Sequence, residues 1–353
     1  MSNTGRKNTR QVTIGKVKIG GLAPVSVQSM TTVGTDDINA VARQIKRLKS
    51  AGCDIVRLGI PDLQSALAVR EIKKKTDMPL VADIHFDYRL ALQCVECGID
   101  ALRINPGNLR GPDEVKEVAR ACLEKNIPIR IGVNGGSIDK SKFGSPGAQA
   151  LVDSAIGHIR LLEKEGFNDI KVSLKSSDVK VMVEAYRIFS EIKDYPLHLG
   201  VTEAGAYDQA LIKSSAGIGT LLLEGIGDTI RISITGDPVK EVEAANTLLR
   251  VLGLRNEGIE IISCPMCARH EFDVERVVNS ISKRTKQYKK YMKVAVMGCV
   301  VNGPGEAAGA DIGIAVGAGG AVLFRKGVLY KKINKGGILK ALLNEIELFQ
   351  KES

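Results

Sequence analysis

Residues 54–104 decide the fold, because three short apolar runs, Asp54-Ile-Val-Arg-Leu58, Leu80-Val-Ala-Asp-Ile84 and Ala101-Leu-Arg-Ile104, alternate there with longer amphipathic segments. The intervals are too long for hairpins and suit right-handed crossovers between parallel strands. Similar runs extend the pattern in both directions, at Pro24–Ser29, Ile127–Gly132, Asp169–Leu174, Leu197–Val201 and Thr229–Ile234. Helical patterns fill the intervals, among them Asp37–Lys49, Gly111–Lys125 and Asp237–Leu252.

Eight strand–helix units in about 230 residues predict an α/β protein with a (β/α)8 barrel of the TIM type, a fold of about 250 residues. An open doubly wound sheet is the competing architecture, but no Gly-x-Gly-x-x-Gly turn follows the first strand. The alternating segment from Val12 to Leu22 predicts a small hairpin lid. We therefore expect the barrel domain to span residues 1–253.

A small α+β domain is expected over residues 254–353, after a linker at Leu254–Gly258. Its predicted helices are Asp273–Arg284 and Gly336–Gln350. Its predicted strands are Lys293–Gly298, Asp311–Val316, Ala321–Phe324 and Gly327–Lys331.

Composition limits the partners and the compartment. The net charge of +10 comes with only 4% aromatic residues and no Trp, so an acidic small molecule or protein suits the chain better than a nucleic acid. No apolar run approaches the roughly 20 residues of a membrane span. The first ten residues lack the apolar region of a signal peptide, and seven cysteines are an odd number, so we expect a cytoplasmic protein.

Three cysteines near the end of the chain have metal-ligand spacing: Cys264-Pro-Met-Cys267 and the distant Cys299. Three thiolates leave one coordination position for a weaker ligand, which favours redox or Lewis-acid chemistry over a structural role. The Gly-Pro-Gly turn after Cys299 suits an iron–sulfur cluster, whereas zinc is the alternative and could recruit His270. Glu306 follows that turn and is either a weak ligand or an ordinary carboxylate in the first turn of a helix.

A second Cys-x-x-Cys, Cys94 and Cys97, falls within a helical pattern. We expect both residues, like Cys53 and Cys122, to pack as small apolar side chains. A zinc site built from the two Cys-x-x-Cys pairs is the rival interpretation, but it leaves Cys299 unexplained.

Basic residues recur at the carboxyl ends of the predicted barrel strands, where active sites of this fold lie. They are Arg57, Arg103, Arg130, Lys175 and Arg231. Together they predict a diphosphate or polyphosphate site, with Asn134 and Ser233 as neutral donors. Alternatively, some of them pair with barrel carboxylates such as Asp83 or Glu224.

Glu203 follows the seventh predicted strand and is either a general acid/base or a partner of an Arg. Asp83 and His85 end the third strand and could relay protons or fix a substrate. A lone histidine is more often structural, and this applies to His85 and even more to His198.

The chain resembles the hydroxymethylbutenyl diphosphate synthases, iron–sulfur enzymes of the non-mevalonate isoprenoid route, over essentially its whole length. The segments that carry the resemblance are Val27-Gln-Ser-Met-Thr, Val56-Arg-Leu-Gly, Ala82-Asp-Ile-His-Phe, Leu102-Arg-Ile-Asn-Pro-Gly-Asn, Arg130-Ile-Gly-Val-Asn, Ser173-Leu-Lys-Ser-Ser, Thr202-Glu-Ala-Gly, Ser263-Cys-Pro-Met-Cys and Cys299-Val-Val-Asn-Gly-Pro-Gly-Glu. The length matches the two-domain bacterial form.

The resemblance implies a [4Fe-4S] cluster on Cys264, Cys267 and Cys299, with Glu306 as the fourth, exchangeable ligand. It implies that methylerythritol cyclodiphosphate binds through its diphosphate to the five basic residues and undergoes a two-electron reductive ring opening with loss of water. Glu203 then becomes the candidate for handling the proton, and ferredoxin or flavodoxin the implied electron donor.

The resemblance also implies a homodimer with head-to-tail pairing. The helix Asp237–Leu252 should lead away from the barrel mouth, and the linker Leu254–Gly258 spans at most roughly 17 Å. We therefore expect each cluster domain to cover the mouth of its partner. The remaining alternative is a zinc-stabilised barrel that binds or senses a phosphorylated metabolite, distinguishable by metal and sulfide analysis.

Overall fold

The computed structural model describes residues 5–105, 111–138 and 147–352, which divide into two compact units, Met1–Leu254 and Arg255–Ser353. The Pro-Gly-Asn part of the sequence motif at residues 102–108 therefore lies outside the described residues. Each unit has its own apolar core. None of the helices in the described ranges is long and apolar enough to cross a membrane.

A parallel eight-stranded barrel forms the first unit within the described residues. Its strands are β3 Ser26–Met30, β4 Ile55–Gly59, β5 Leu80–Asp83, β6 Ala101–Ile104, β7 Ile129–Asn134, β8 Ile170–Lys175, β9 His198–Leu199 and β10 Thr229–Ile230. They are joined in the order β8-β7-β6-β5-β4-β3-β10-β9, and a parallel bridge between Val172 and Leu197 connects the two ends of this sheet. The predicted (β/α)8 barrel is confirmed, although its last two strands are only two residues long.

Helices cover the outside of the barrel. They are α1 Ile38–Ser50, α2 Leu63–Lys75, α3 Tyr88–Glu96, α4 Pro112–Lys125, α5 Ala148–Lys164, α6 Val179–Ile192, α7 Tyr207–Leu223 and α8 Pro238–Val251. Asp37 and Asp237 cap α1 and α8 by accepting hydrogen bonds from the amides of Ala40 and Val239. Because a capping residue is only half helical, these helices begin one residue later than predicted.

The predicted hairpin consists of β1 Val12–Ile14 and β2 Val17–Ile19. Its buried side chains pack against Ile55, Val81 and Ala101. These residues lie at or near the amino-terminal ends of β4, β5 and β6, so the hairpin closes the end of the barrel opposite the carboxyl ends of the strands.

The second unit is a five-stranded mixed sheet with helices, again within the described residues. Its strands are β11 Ile259–Ser263, β12 Met292–Met297, β13 Ile312–Gly317, β14 Gly320–Arg325 and β15 Val328–Ile333. Its α-helices are α9 Val274–Arg284, α10 Gly303–Ala308 and α11 Ile338–Lys351. Strands β11, β12 and β13 are parallel, whereas β14 and β15 are antiparallel to their neighbours.

Two local predictions for this unit were incomplete. The sequence pattern did not predict β11. Its five residues follow the linker directly and contain only one charged residue, so they show little of the alternation that indicates a strand. The Gly-Pro-Gly segment is the first turn of α10 and not an isolated turn, since Pro is well tolerated at the first position of a helix.

Candidate active site

The barrel brings the five predicted basic side chains together, although Arg130 is the second residue of β7 and does not lie at its carboxyl end as predicted. Four lie on β4, β6, β7 and β8, and the fifth follows β10: Arg57, Arg103, Arg130, Lys175 and Arg231. Burial lowers the pKa of Arg57 to about 10, an effect that Asp83 opposes and that Arg231 and Arg103 reinforce. Burial and the neighbouring guanidinium groups likewise hold the pKa values of Arg130 and Lys175 well below their ordinary range. We call these five residues the basic mouth.

Asp83 is the central carboxylate of the basic mouth. Its Oδ1 lies 3.1 Å from the NH1 atom of Arg103, and its Oδ2 lies 3.6 Å from both Nε of Arg57 and Nε2 of His85. Burial opposes ionisation of Asp83, but the Arg57 charge, the His85 hydrogen bond and the other Arg charges outweigh it and hold the pKa of Asp83 well below its usual value. Asp83 is therefore a permanent anion that orients two of the cations.

Glu241 orients Arg231 in a similar way. It lies on α8, is 4% exposed, and accepts hydrogen bonds from Arg231 at 3.3 and 3.4 Å. Its Oε2 also accepts from the Ser29 hydroxyl at 2.8 Å, and its Oε1 accepts from the amide of Ile234 at 3.1 Å. No pattern in the sequence indicates this role, because a Glu in the first turn of a helix usually faces solvent.

The predicted pairing of Glu224 with the mouth is wrong. Glu224 lies at the end of α7 and forms an exposed ion pair with Arg187 at 2.5 Å. The carboxyl end of an outer helix leaves the carboxylate on the surface, so Glu224 does not compete for the cations of the barrel.

Arg103 and Arg130 are fixed by neighbours on several strands. The NH1 atom of Arg103 lies 3.2 Å from Nε2 of His85, and its NH2 donates to the carbonyl of Gly132 at 3.3 Å. A Cβ on Gly132 would lie 2.5 Å from Nε of Arg103, so the guanidinium fills the space of the absent side chain. The NH1 atom of Arg130 lies 3.2 Å from Nδ1 of His198.

The proposed acid/base residue differs from the mouth cations in its exposure. Glu203 lies exposed in the loop after β9 with a φ of 53°, a conformation that is uncommon for residues other than Gly. It forms no ion pair with any residue in the described ranges, so the contacts do not favour its alternative role as a partner of an Arg. Asn134, at the end of β7, and Ser233, beyond β10, are half-buried, and the ring of His85 is half-exposed.

Strand β3 contributes polar groups that sequence reasoning missed. Arg57 lies 3.0 Å from the sulfur of Met30, and Gln28 accepts from Arg130 at 3.5 Å. The signal available in the sequence was the presence of polar residues in the Val27-Gln-Ser-Met-Thr segment, which continues a predicted strand.

The three C-terminal cysteines follow two neighbouring strands of the second unit. Cys264 comes directly after β11, Cys299 comes shortly after β12, and these strands are parallel and adjacent. The amide of Gly298 donates to the sulfur of Cys264 at 3.2 Å, where a larger residue at 298 would crowd Val274 and the sulfur. Met266, between Cys264 and Cys267, has a φ of 55°, which gives the intervening loop a tight bend.

The chemistry of these thiols differs from that of the barrel cysteines. Hydrogen bonds from the amides of Val301 and Asn302, together with Arg269, lower the pKa of Cys299. By contrast, burial raises the pKa of Cys53, Cys94 and Cys122 to about 12. Metals bind the thiolate form, and the thiol whose pKa is lowered, Cys299, belongs to the second unit.

Cys94 and Cys97 are buried against the barrel core, as expected for small apolar side chains. Both are free thiols within or at the end of α3. Their burial leaves the interpretation as a zinc site without support.

The candidate ligands of the second unit are three thiols and one carboxylate. Over the described ranges, no three His, Cys, Asp or Glu side chains converge closely enough to hold one metal ion. Nδ1 of His270 lies 2.7 Å from the carbonyl of Cys267, and Glu306 is exposed in the first turn of α10. Three thiols and a carboxylate, with the amide of Gly298 directed at the sulfur of Cys264, are a donor set that fits an iron–sulfur cluster, which binds its cysteines through separate iron atoms.

Comparisons with family models agree with this division. Residues 9–246 match the model of the GcpE TIM-barrel domain, and residues 260–348 match that of the GcpE protein C-terminal domain.

Three curated relatives share about half of their residues with the chain. They come from Caldanaerobacter subterraneus subsp. tengcongensis (53% identity, 98% of this chain and 99% of the relative), Clostridium perfringens (52%, 97% and 99%) and Fusobacterium nucleatum (54%, 95% and 96%). Each is named 4-hydroxy-3-methylbut-2-en-1-yl diphosphate synthase (flavodoxin).

Similar solved structures include two dihydropteroate synthases. The enzyme of Stenotrophomonas maltophilia aligns with a TM-score of 0.53 at 13% identity, over 69% of this chain and 97% of its own. That of Xanthomonas albilineans aligns with a TM-score of 0.52 at 12% identity, over 70% and 98%. At this identity the likeness supports the barrel fold alone.

Proposed function

The chain belongs to the GcpE family, and on this premise we propose that it converts 2-C-methyl-D-erythritol 2,4-cyclodiphosphate to (E)-4-hydroxy-3-methylbut-2-enyl diphosphate. The reaction opens the ring, consumes two electrons and two protons, and releases one water. It would make the protein an oxidoreductase of isoprenoid biosynthesis, and the names of the relatives support the product and flavodoxin as the electron donor.

The observation that carries the proposal is the charge imbalance of the basic mouth. Five basic side chains meet there, while the buried carboxylates that form ion pairs with them among the described residues are Asp83 and Glu241. Confining several positive charges in a region of low dielectric is costly unless an anion joins them. A diphosphate supplies that anion, and each Arg presents paired N–H donors to its oxygens.

In this proposal the residues of the barrel have different roles in substrate binding. Arg57, Arg103, Arg130, Lys175 and Arg231 hold the diphosphate, while Asn134 and Ser233 donate neutral hydrogen bonds. Asp83 orients Arg57 and Arg103, and His85 offers a further contact on the exposed side of the same carboxylate. Binding in one orientation fixes the reacting carbon relative to the groups around it.

Glu203 handles the proton in this proposal. The hydroxyl that leaves as water must receive a proton, and the exposed carboxyl of Glu203 is free to deliver one. Glu203 has a positive φ, an uncommon backbone conformation that sets the direction of its side chain. Such conformations occur often at functional sites, which supports the proposed role.

Cys264, Cys267 and Cys299 would hold the [4Fe-4S] cluster, with Glu306 as the fourth ligand. The cluster supplies electrons one at a time and offers an iron with an exchangeable ligand. The amide of Gly298 stabilises the sulfur of Cys264, and the amides after Cys299 stabilise its thiolate. We further propose flavodoxin, or else ferredoxin, as the electron donor in the cytoplasm.

The direct test is turnover by anaerobically purified protein with the cyclodiphosphate and reduced flavodoxin. We expect the linear allylic diphosphate by mass spectrometry, and stoichiometric iron and sulfide. Intact cluster without product would refute the activity. Stoichiometric zinc in a colourless protein that binds the diphosphate would instead support the sensor alternative.

The shared-site homodimer is a separate proposal and needs a mixing experiment. Cys264→Ser and Glu203→Gln are each expected to be inactive or slow alone. After subunit exchange, a heterodimer with sites shared between chains regains one intact site and hence activity. Verified exchange without recovered activity would reject sharing between chains.

A further inference from the structure

A second buried lysine lies in the barrel, level with Arg130 of the basic mouth. Lys171 is on β8, four residues before Lys175, so both side chains are on the same face of the strand. It is 2% exposed, and its Cα is the register partner of Arg130 on β7. Its Nζ makes no hydrogen bond to any residue that the structure describes. None of the roles proposed above uses this residue.

The titratable groups around Lys171 come from every neighbouring element. Arg130 faces it from β7 and His198 from β9, while Lys175 follows on its own strand. Asp228, just before β10, is the anion that acts on Lys171. Lys171 is thus surrounded mainly by positive or neutral donors.

Asp228 is already engaged with other donors. Its Oδ1 accepts from Arg6 at 3.0 Å and from Thr9 at 3.2 Å, and its Oδ2 accepts from the amide of Leu197 at 2.8 Å. Asp228 forms an ion pair with Arg6 and none with Lys171 among the described residues, so its charge acts on Lys171 without direct contact.

An ammonium in this position is removed from bulk solvent and has no acceptor among the described residues. Such burial disfavours the charged form strongly, and a nearby guanidinium adds to the penalty. Burial, reinforced by Arg130 and opposed by Asp228, holds the pKa of Lys171 well below its ordinary range. The pKa of His198 is lowered by burial and by the same cations, so the ring stays neutral.

We propose that Lys171 is an uncharged amine in the substrate-free protein and takes up a proton when the diphosphate occupies the basic mouth. This inference rests on the proposed function, since it needs an anion in contact with Arg130. It makes Lys171 a positioning residue, which acts on the substrate through the charge of the barrel interior.

The physical link is Arg130, which belongs to the mouth and is the register partner of Lys171. Each phosphorus of the cyclic diphosphate carries one ionised oxygen, so the substrate is a dianion throughout the neutral range. Two negative charges beside Arg130 cancel part of the positive field that keeps Lys171 neutral, and low dielectric transmits the change well. By linkage, the affinity for substrate then falls as the pH rises through the window in which the proton is taken up.

Isothermal titration calorimetry provides the test. The full-length cluster-containing protein is titrated with the cyclodiphosphate, without electron donor, in buffers of different ionisation enthalpy at pH 8. Because the ligand does not titrate there, the proton uptake belongs to the protein. We expect Lys171→Met to take up fewer protons than the wild type, by about one at most. Equal uptake by both proteins would overturn the proposal.

Matched variants separate this outcome from trivial ones. Lys180→Met removes the same charge from an exposed position on α6 and should leave proton uptake unchanged. Lys171→Gln keeps the proposal testable where Met perturbs packing, and it should show the same loss. If the wild type gives no binding at all, the anion site of the proposed function fails, whereas binding with undiminished uptake in both Lys171 variants refutes this inference alone.

Stability gives an independent readout with a defined sign. In the unfolded chain Lys171 titrates near 10.4, whereas in the folded protein its pKa is lower. The unfolded state therefore binds more protons below about pH 10, so this residue destabilises the fold there and the penalty fades as the pH rises. Lys171→Met should raise the melting temperature at pH 7 and leave it nearly unchanged near pH 10. A lower melting temperature at pH 7 would mean that the lysine is charged and paired.

Discussion

The basic mouth and the cysteine segments organise their functional groups in opposite ways. In the mouth, strands bury the cations and two carboxylates, Asp83 and Glu241, fix their directions. In the second unit, Cys267 and Glu306 are exposed, and Cys264 and Cys299 are partly exposed on segments that follow strands. The first arrangement is maintained by packing, whereas the second depends on backbone amides and, in the proposed function, on the cluster that the thiols would bind.

This difference predicts different responses to mutation. A change in the mouth alters charges that the protein has already placed and desolvated, so its effect is graded. A change at a thiol removes a ligand of a multi-ligand group, so its effect approaches all or none.

The largest expected effect follows replacement of a cluster ligand. Cys264→Ser, Cys267→Ser and Cys299→Ser should each abolish activity and most of the iron and sulfide. Cys94→Ala is the matched control, because that thiol is buried in the barrel with a pKa of about 12. Metal analysis on anaerobic protein measures both, and loss of iron in the control would contradict the assignment.

The next effect concerns proton handling. Glu203→Gln should lower kcat by about 10²- to 10⁴-fold, the usual contribution of a general acid. Substrate affinity should persist, since Glu203 makes no ion pair with a described mouth residue. Single-turnover rates and binding titrations separate the two quantities. Unchanged turnover would remove Glu203 from the mechanism.

Asp83 tests whether the mouth is held together before substrate arrives. Asp83→Asn leaves two buried cations without their shared anion and should lower the free energy of unfolding by about 3–5 kcal/mol. Asp194→Asn, which breaks an exposed pair with Arg10, should cost less than about 1 kcal/mol.

The pH dependence of that difference has a definite sign. The pKa of Asp83 is depressed in the folded protein, so its stabilisation is complete above the unfolded pKa of about 3.9. Denaturant unfolding should therefore show a constant gap between wild type and Asp83→Asn from pH 8 to pH 5. The gap should narrow only in more acidic solution, and narrowing near neutrality would contradict the assigned ionisation.

The smallest effect is expected when a single Arg of the basic mouth is replaced. Arg57→Ala should weaken substrate binding by roughly 10- to 150-fold, or about 1.5–3 kcal/mol, without changing the visible spectrum of the cluster. Arg187→Ala removes an exposed Arg of the same unit and should bind normally. Wild-type affinity of Arg57→Ala would place the diphosphate elsewhere.

Sequence alone predicted the barrel and the convergence of the cations for one reason. Parallel strands end at the same edge, so Arg57, Arg103 and Arg130 had to meet once their apolar runs were recognised as strands. The roles proposed for those residues remain to be tested by the experiments above.

The features that sequence reasoning missed depend on contacts between distant elements. Glu241 occupies an ordinary position in the first turn of α8, and only tertiary packing turns it toward Arg231. Glu224 carries the same charge near the end of α7 but remains on the surface. Lys171 lies within a strand whose apolar pattern gives no indication that its amine has no hydrogen-bond partner among the described residues.

The hairpin β1–β2 covers part of the amino-terminal end of the barrel. Val12, Ile14 and Ile19 pack there against residues at or near the start of β4, β5 and β6, and the Arg6–Asp228 pair lies buried just before β10. Lys171 and His198 are buried in the interior of the same barrel. When a diphosphate occupies the basic mouth, we expect solvent exchange at these two side chains to slow, so their exchange rate would report how long the substrate stays bound.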